Sequence, residues 1–334
     1  MIEIDGSYLE GGGQILRTAC SLSAVIKKPC RVFNIRKNRP RPGLMPQHLL
    51  GIQALVKLCN GKLEGDFLGS EEIKFYPGEV ARGPSSVDIK IETAGSITLV
   101  LQTLILPCLF APEPIKISFD GGATDTFFSP TIDYFRFCFL KILEKMAENG
   151  SLPIKINVVK RGYYPEGGAK VEVKVSPSKL KSLNLTERGF LKKITAISGA
   201  SEFLKPKKVA ERQLMGLREI LGKLRLPIEE KVEYYQTQCP GSQICLIAEF
   251  ENTIIGVDNL GKLGKRAEDV GKEAAFELLK EQKSGACLDK HLADQVLPYM
   301  ALCGKKCQVT VSEITNHCQT NIWVSKNFSP ESLK

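Results

Sequence analysis

The chain repeats one plan three times: a small-residue opening, roughly four turns of helix, a short Gly/Pro/Lys turn, then a strand. Gly11-Gly12-Gly13 opens a helix over residues 14–26, followed by a strand over 30–35. Ala94-Gly95-Ser96 opens a helix over 97–110, followed by a strand over 115–119. Ser284-Gly285-Ala286 opens a helix over 287–302, followed by a strand over 307–311. A second helix follows the first two units, at 44–58 and 131–147. Three βαβαββ-type units are the simplest account of this self-similarity, so an α/β (α+β) fold is expected.

The third unit is displaced. Residues 176–282 read as a self-contained α/β stretch, with a strand over 191–198 and a helix over 207–222. Strands near 232–235 and 244–251 and a helix over 266–280 complete it. The chain is therefore expected to divide into a large domain, 1–180 plus 283–334, and a small inserted domain, 181–282. Within the insert, Gly261-Lys262-Leu263-Gly264-Lys265-Arg266 lacks the spacing and Ser/Thr of a Walker motif and reads as a basic surface turn.

Membrane spanning and secretion are not expected. The longest apolar run, 97–110, is interrupted by Thr98, Gln102 and Thr103 and stopped by Pro112 and Pro114. It falls short of the ~18 residues a span needs. The N-terminus has neither the basic nor the apolar region of a signal peptide, so a cytoplasmic location is expected. The 11 cysteines lie mostly beside apolar residues with no Cys-x-x-Cys pair, which excludes zinc-site spacing and makes most of them buried small hydrophobes.

The chemistry-bearing stretch runs from Asp5 to Arg17. A strand enters three glycines, and free N–H groups at the helix start after them attract anions. Glu10 on one side and Arg17 one helical turn in supply a possible metal ligand and a phosphate-holding cation. Between Lys27 and Arg41 lie seven basic residues and no acid, part of a net charge of +9, and Pro40 and Pro42 keep the far end of that run in a loop. A cationic loop over a glycine-rich anion pocket suits a polyphosphate or nucleic-acid partner.

Three histidines are available. His317 sits in a polar stretch, Asn316-His317-Cys318-Gln319-Thr320-Asn321, read as a turn after a strand, with Cys318 as a rival nucleophile. His48 stands just inside a helix start, where a helix-opening contact is its simplest use. His291, Asp294 and Gln295 fall at i, i+3 and i+4 on one helix face.

Six motifs, in order over nearly the whole length, resemble those of the RNA 3′-terminal phosphate cyclases. They are Glu10-Gly-Gly-Gly-Gln-Ile-Leu-Arg17, Arg39-Pro-Arg-Pro-Gly-Leu-Met-Pro-Gln47-His48 and Ala94-Gly-Ser-Ile-Thr-Leu-Val-Leu-Gln102-Thr103. The others are Gly162-Tyr-Tyr-Pro-Glu-Gly-Gly168, His291-Leu-Ala-Asp-Gln295 and His317-Cys-Gln-Thr-Asn-Ile322. The resemblance implies three repeats like the C-terminal fold of translation initiation factor 3, with a smaller α/β domain inserted before the third. It implies ATP-dependent conversion of an RNA 3′-terminal phosphate to a 2′,3′-cyclic phosphodiester. The implied route runs through a covalent histidine–AMP and an RNA(3′)pp(5′)A anhydride attacked by the 2′-hydroxyl.

On the same resemblance His317 is the nucleophile, and Glu10 with Gln102 holds Mg2+ or Mn2+. Arg17, Arg39 and Gln47 orient phosphate oxygens. Pro130 and His291 face the adenine, while Asp294 and Gln295 line the nucleotide site. Histidine at 291 departs from the tyrosine often found there. The implied partners are ATP and an RNA bearing a 3′-terminal phosphate, with no membrane, and a homodimer is compatible with them. Two rivals share related repeats: a catalytically silent cyclase-like protein of ribosome assembly, and an enolpyruvyl-transfer enzyme. His317 together with Glu10, Arg17 and Arg39 favours the enzyme over the first, and the asymmetric length of the chain disfavours the second.

Overall fold

A computed structural model describes residues 1–80, 83–151, 153–224 and 226–328. The first unit comprises β1 (Ile2–Asp5), α1 (Gly13–Ile26), β2 (Cys30–Phe33), α2 (Pro46–Cys59), β3 (Lys62–Glu64) and β4 (Ile73–Tyr76). Its sheet has the order β1-β2-β4-β3, with β1 and β2 parallel and the remaining pairs antiparallel. Pro46 suits the first turn of α2, where its missing N–H costs nothing, and Asn60 in the left-handed region ends that helix.

The second unit repeats this connectivity. It comprises β5 (Ser86–Ser96), α3 (Ile97–Leu109) and β6 (Ile115–Ala123). A short helix α4 (Ile132–Tyr134) then runs through a π-helical turn, Phe135–Phe139, into α5 (Leu140–Lys145), followed by β7 (Ile154–Lys160) and β8 (Lys170–Val175). The sheet order is β5-β6-β8-β7. Ser96 caps α3 by accepting from the Leu99 N–H at 3.2 Å, and α3 is buried along nearly its whole length.

The third unit begins with β9 (Asn184–Leu185), and the chain then leaves it to build β10 (Leu191–Ser201), α6 (Val209–Leu221), β11 (Ile228–Tyr235), β12 (Ser242–Phe250), β13 (Ile254–Leu260) and α7 (Ala267–Ser284). It returns through α8 (Lys290–Leu302), β14 (Gln308–Val309) and α9 (Asn316–Phe328). Because β9 pairs in parallel with β14, the inserted stretch lies inside the third unit, after its first strand. The inserted sheet, ordered β11-β10-β12-β13, packs one face under α6 and α7 in a core of its own. Ile197, Cys245 and Ile247 on its other face join the main core built around α1, α2 and α3.

Several elements differ from the sequence expectation. The third-unit helix starts at Lys290, because the Asp289 carboxylate accepts from the N–H groups of His291 and Leu292. The strand expected over 307–311 pairs only at Gln308–Val309, with Leu288 bridging Val311. β13 was not expected, since Gly256, Asp258 and Asn259 disfavour strands; pairing along all of β12 overrides that preference. His317 lies in the first turn of α9 and not in a loop. That helix is poor in strong helix formers and forms because Val324 and Phe328 enter the core while Trp323 stacks on Tyr8, ring centroids 4.2 Å apart.

The expected buried cysteines are largely present: all 11 are free thiols, and only Cys303 and Cys307 are partly exposed. Among the described residues no helix is long and apolar enough to cross a membrane.

Asp289 joins three parts of the molecule. Besides capping α8, its carboxylate accepts from the Tyr134 hydroxyl at 2.7 Å and the Gly256 N–H at 2.9 Å, so the second unit, the insert and α8 meet on one side chain. Asp289→Ala removes a cap and orphans two buried donors, and is expected to cost about 3 kcal/mol. Urea unfolding checks this; a loss under about 1 kcal/mol would contradict the role.

Candidate active site

The starts of α1 and α9 and the loop before α2 face one another across a cleft of about 670 Å³. Gly12, the N-cap of α1, caps without a side chain, so the first-turn N–H groups of that helix open toward the cleft. A methyl group on Gly13 would sit 2.0 Å from His48 Nε2, so glycine there lets α2 approach the start of α1. The imidazole of His48 in turn accepts from the Met45 N–H through Nδ1 at 3.4 Å, the helix-opening contact expected of it.

His317 is held in the cleft from behind. Gln14 on α1 donates through Nε2 to the His317 carbonyl at 3.2 Å and to Asp294 Oδ2 on α8 at 3.3 Å. Thr18, one turn on, donates to Asn321 Oδ1 at 2.7 Å, and Asn321 Nδ2 donates to the Asp294 carbonyl at 2.7 Å. These bonds fix the register of α1, α8 and α9. On the cleft side His317 Nε2 lies 3.8 Å from Glu10 Oε2, and Arg39 Nη2 donates to the same oxygen at 3.1 Å.

The electrostatics favour a neutral imidazole. Enclosure by the protein lowers the His317 pKa below its usual value, Glu10 opposes that shift, and the cations Arg17 and Arg39 reinforce it. Enclosure also raises the Asp294 carboxyl to about 7 against the pull of Arg17. Arg17 itself is lowered to about 10 by the same enclosure and stays a cation at neutral pH.

A family profile described as RNA 3′-terminal phosphate cyclase matches residues 8–334. The chain belongs to the RNA 3′-terminal phosphate cyclase family. Proteins bearing that name from Pyrococcus abyssi and Pyrococcus furiosus are 46% and 47% identical over 329 residues, spanning 98% of this chain and 93% of theirs. One from Thermococcus kodakarensis is 44% identical over 329 residues, covering 98% of this chain and 92% of its own.

In this member of the family the expected site residues fall into three places. Glu10, Arg17, Arg39, Gln47 and His317 line the large cleft. Gln102, Asp294 and Gln295 line a smaller adjoining pocket, which Gln14 and Arg17 share with the cleft. Gln102 Nε2 donates to Gln295 Oε1 at 3.1 Å, so Gln102 and Glu10 do not stand on one wall. Pro130 and His291 line neither space. They border one carboxylate, Asp258, which accepts from the Thr131 N–H at 2.6 Å and attracts the His291 ring.

The basic run is only partly at the site. Arg36 and Arg39 face the cleft, whereas Arg31 pairs with Glu3 and Glu72 on the sheet. Sequence reasoning passed over Gln14, Thr18 and Asn321. Their signal was present: Gln14, Arg17 and Thr18 fall at i, i+3 and i+4 on the face of α1 opposite its apolar stripe.

Burial and the charges of Arg17 and Arg36 hold His48 down to about 3. Above its ordinary value of 6.5 the ring is neutral folded or unfolded, so it adds nothing to the pH dependence there. As pH falls below that value the unfolded chain binds a proton the folded one refuses, so stability declines by about 1.4 kcal/mol per pH unit. Urea midpoints at successive pH values are expected to fall more steeply for the wild type than for His48→Asn; parallel slopes would contradict this.

Proposed function

We propose that this protein converts an RNA 3′-terminal phosphate to a 2′,3′-cyclic phosphodiester at the expense of ATP, with His317 as the carrier of AMP. The observation that supports the reading most is the neutral-leaning imidazole of His317 at a glycine-rich helix start without a side-chain cap, sharing Glu10 with Arg39. In the first step the imidazole nitrogen attacks the α-phosphorus, the N–P bond forms, the bond to the β-phosphate oxygen breaks and pyrophosphate leaves. A lowered histidine pKa helps, because only the neutral ring has a lone pair to give.

The α1 N–H groups, Arg17, Arg39 and Gln47 neutralise and orient the phosphate oxygens. An oxygen of the RNA phosphate then attacks the same phosphorus, the N–P bond breaks and the ring is regenerated with its proton. The 2′-hydroxyl finally attacks the activated 3′-phosphorus with loss of its proton, and AMP leaves. Need for a 2′-hydroxyl makes RNA the required acceptor. Asp294 and Gln295 act from behind, holding the nucleotide side of the cleft; a base taken between Pro130 and His291 would lie beside Asp258, beyond the walls of both spaces.

Among the described residues no group of three or more His, Cys, Asp and Glu side chains can hold a metal unaided. The donor that faces the cleft fits a magnesium or manganese ion that takes most of its coordination from a triphosphate: Glu10 offers a partly exposed carboxylate, whereas Gln102, in the adjoining pocket and bonded to Gln295, stands apart from it. Such an ion would neutralise charge on the departing pyrophosphate. On this reading 1–180 with 283–334, joined by β9, form the catalytic body and the rest of 181–282 the appended one.

Incubation with magnesium and ATP labelled at the α-phosphate is expected to leave an acid-labile, alkali-stable label on His317, discharged by RNA ending in a 3′-phosphate. His317→Ala is expected to lower labelling by at least ~100-fold with stability changed by less than ~0.5 kcal/mol, since the ring is half-exposed. Undiminished labelling of that variant would sink the assignment. Arg39→Ala is expected to slow transfer to RNA while costing at most about 1 kcal/mol of stability, the range of a partly exposed ion pair. An unfolded Arg39→Ala protein would show instead that the pair with Glu10 is structural.

A further inference from the structure

One wall of the cleft is aromatic, and nothing in the reaction above uses it. Phe128 is fully exposed, at 102%, and its backbone is held in the left-handed region at φ 62. A bulky residue pays for that conformation, and no burial offsets the cost. Beside it Phe127 meets Tyr164 edge-to-face with ring centroids 6.1 Å apart, and both rings are themselves exposed. Phe128 and Tyr164 line the cleft together with Thr126 and Gly95, the same cleft that Arg36 and Arg39 line.

We propose that Phe128 and Tyr164, braced by Phe127, form a stacking shelf for the bases at the 3′ end of the RNA, while Arg36 and Arg39 hold the phosphates across the cleft. This rests on the proposed RNA-end chemistry and adds how the end is gripped. Cations facing exposed rings across one groove are the arrangement by which single-stranded nucleic acid is bound with little sequence preference, because every base has a π-face. An apolar protein segment would find its complement in the rings alone, since Arg36 and Arg39 line the same cleft. A free nucleoside triphosphate is already accounted for at the α1 start and would leave the shelf uncovered. The shelf therefore selects an unpaired end, whose bases can splay onto the rings, over the end of a duplex.

The test compares wild type, Phe128→Ala and Phe128→Trp in binding a fluorescently tagged single-stranded RNA with a 3′-phosphate, and the same RNA with its last two nucleotides abasic. Loss of one stack is expected to weaken binding of the base-bearing RNA by roughly 5- to 100-fold in Phe128→Ala. Phe128→Trp is expected to restore it. The abasic RNA is expected to bind wild type and Phe128→Ala alike. Equal affinity of wild type and Phe128→Ala for the base-bearing RNA overturns the shelf, as does an equal loss on both RNAs, which would mean altered cleft structure. Because Phe128 is fully exposed, its truncation leaves the core untouched. ATP labelling of the wild-type protein, run alongside, reports separately on the underlying chemistry: absent labelling with base-dependent binding would fault the reaction and leave the shelf standing.

Discussion

Everything in the site depends on where α8 sits, and α8 is set by the carboxylate of Asp289. That group is buried and receives four donors: the Tyr134 hydroxyl, the Gly256 N–H and two N–H groups at the start of its own helix. Burial alone would push the carboxyl up and disfavour its charge; the four donors and the helix start oppose that. A group that expensive to bury is useful only where its partners are fixed, so the second unit, the insert and α8 are held in one relation. From α8, Asp294 passes that relation on through Gln14 of α1 and Asn321 of α9, and so to His317.

A second buried cluster secures the insert. Arg161, 5% exposed, donates to Asp125 and to both oxygens of Asp133, and its guanidinium lies over the Tyr235 ring of β11 at 4.5 Å. Tyr163 beside it bonds to Gln243 of β12. Burial, with Asp133 nearby, raises the Asp125 carboxyl against the pull of Arg161, and the two acids hold the guanidinium firmly protonated despite its burial. Such a network contributes little net stability against an apolar alternative, but breaking one member leaves a buried charge. It therefore acts as a key for one seating of the insert, next to the Gly162–Gly168 loop that carries Tyr164 to the cleft.

The cleft itself combines two opposite demands. The reaction proposed above asks the cleft for cations and open N–H groups to meet phosphate, and for a neutral ring at His317. Arg17 and Arg39 meet both, because the charge that attracts phosphate also lowers the imidazole. Glu10, 3.8 Å from the ring, limits that shift.

The sequence by itself determined the repeated strand–helix plan, the glycine opening of α1 and the residue types of the cleft, because these rest on local periodicity, backbone freedom and side-chain chemistry. The first two units and the helix openings at Ser96 and Pro46 follow from that reading, whereas the grouping of Glu10, His317 and Arg39 was implied only by the family resemblance. Only the tertiary structure decided the rest. That His317 begins a helix depends on Trp323, Val324 and Phe328 finding partners far away in sequence, which overrides the weak helix preference of a run rich in Gln, Thr and Asn. The start of α8 at Lys290 is a local cap by Asp289, but the seating of that helix against Tyr134 and the place of the insert between β9 and α8 depend on contacts spanning over 100 residues. Gln102 and Glu10 take separate walls for the same reason: spacing along a chain states what is available, and packing states what meets.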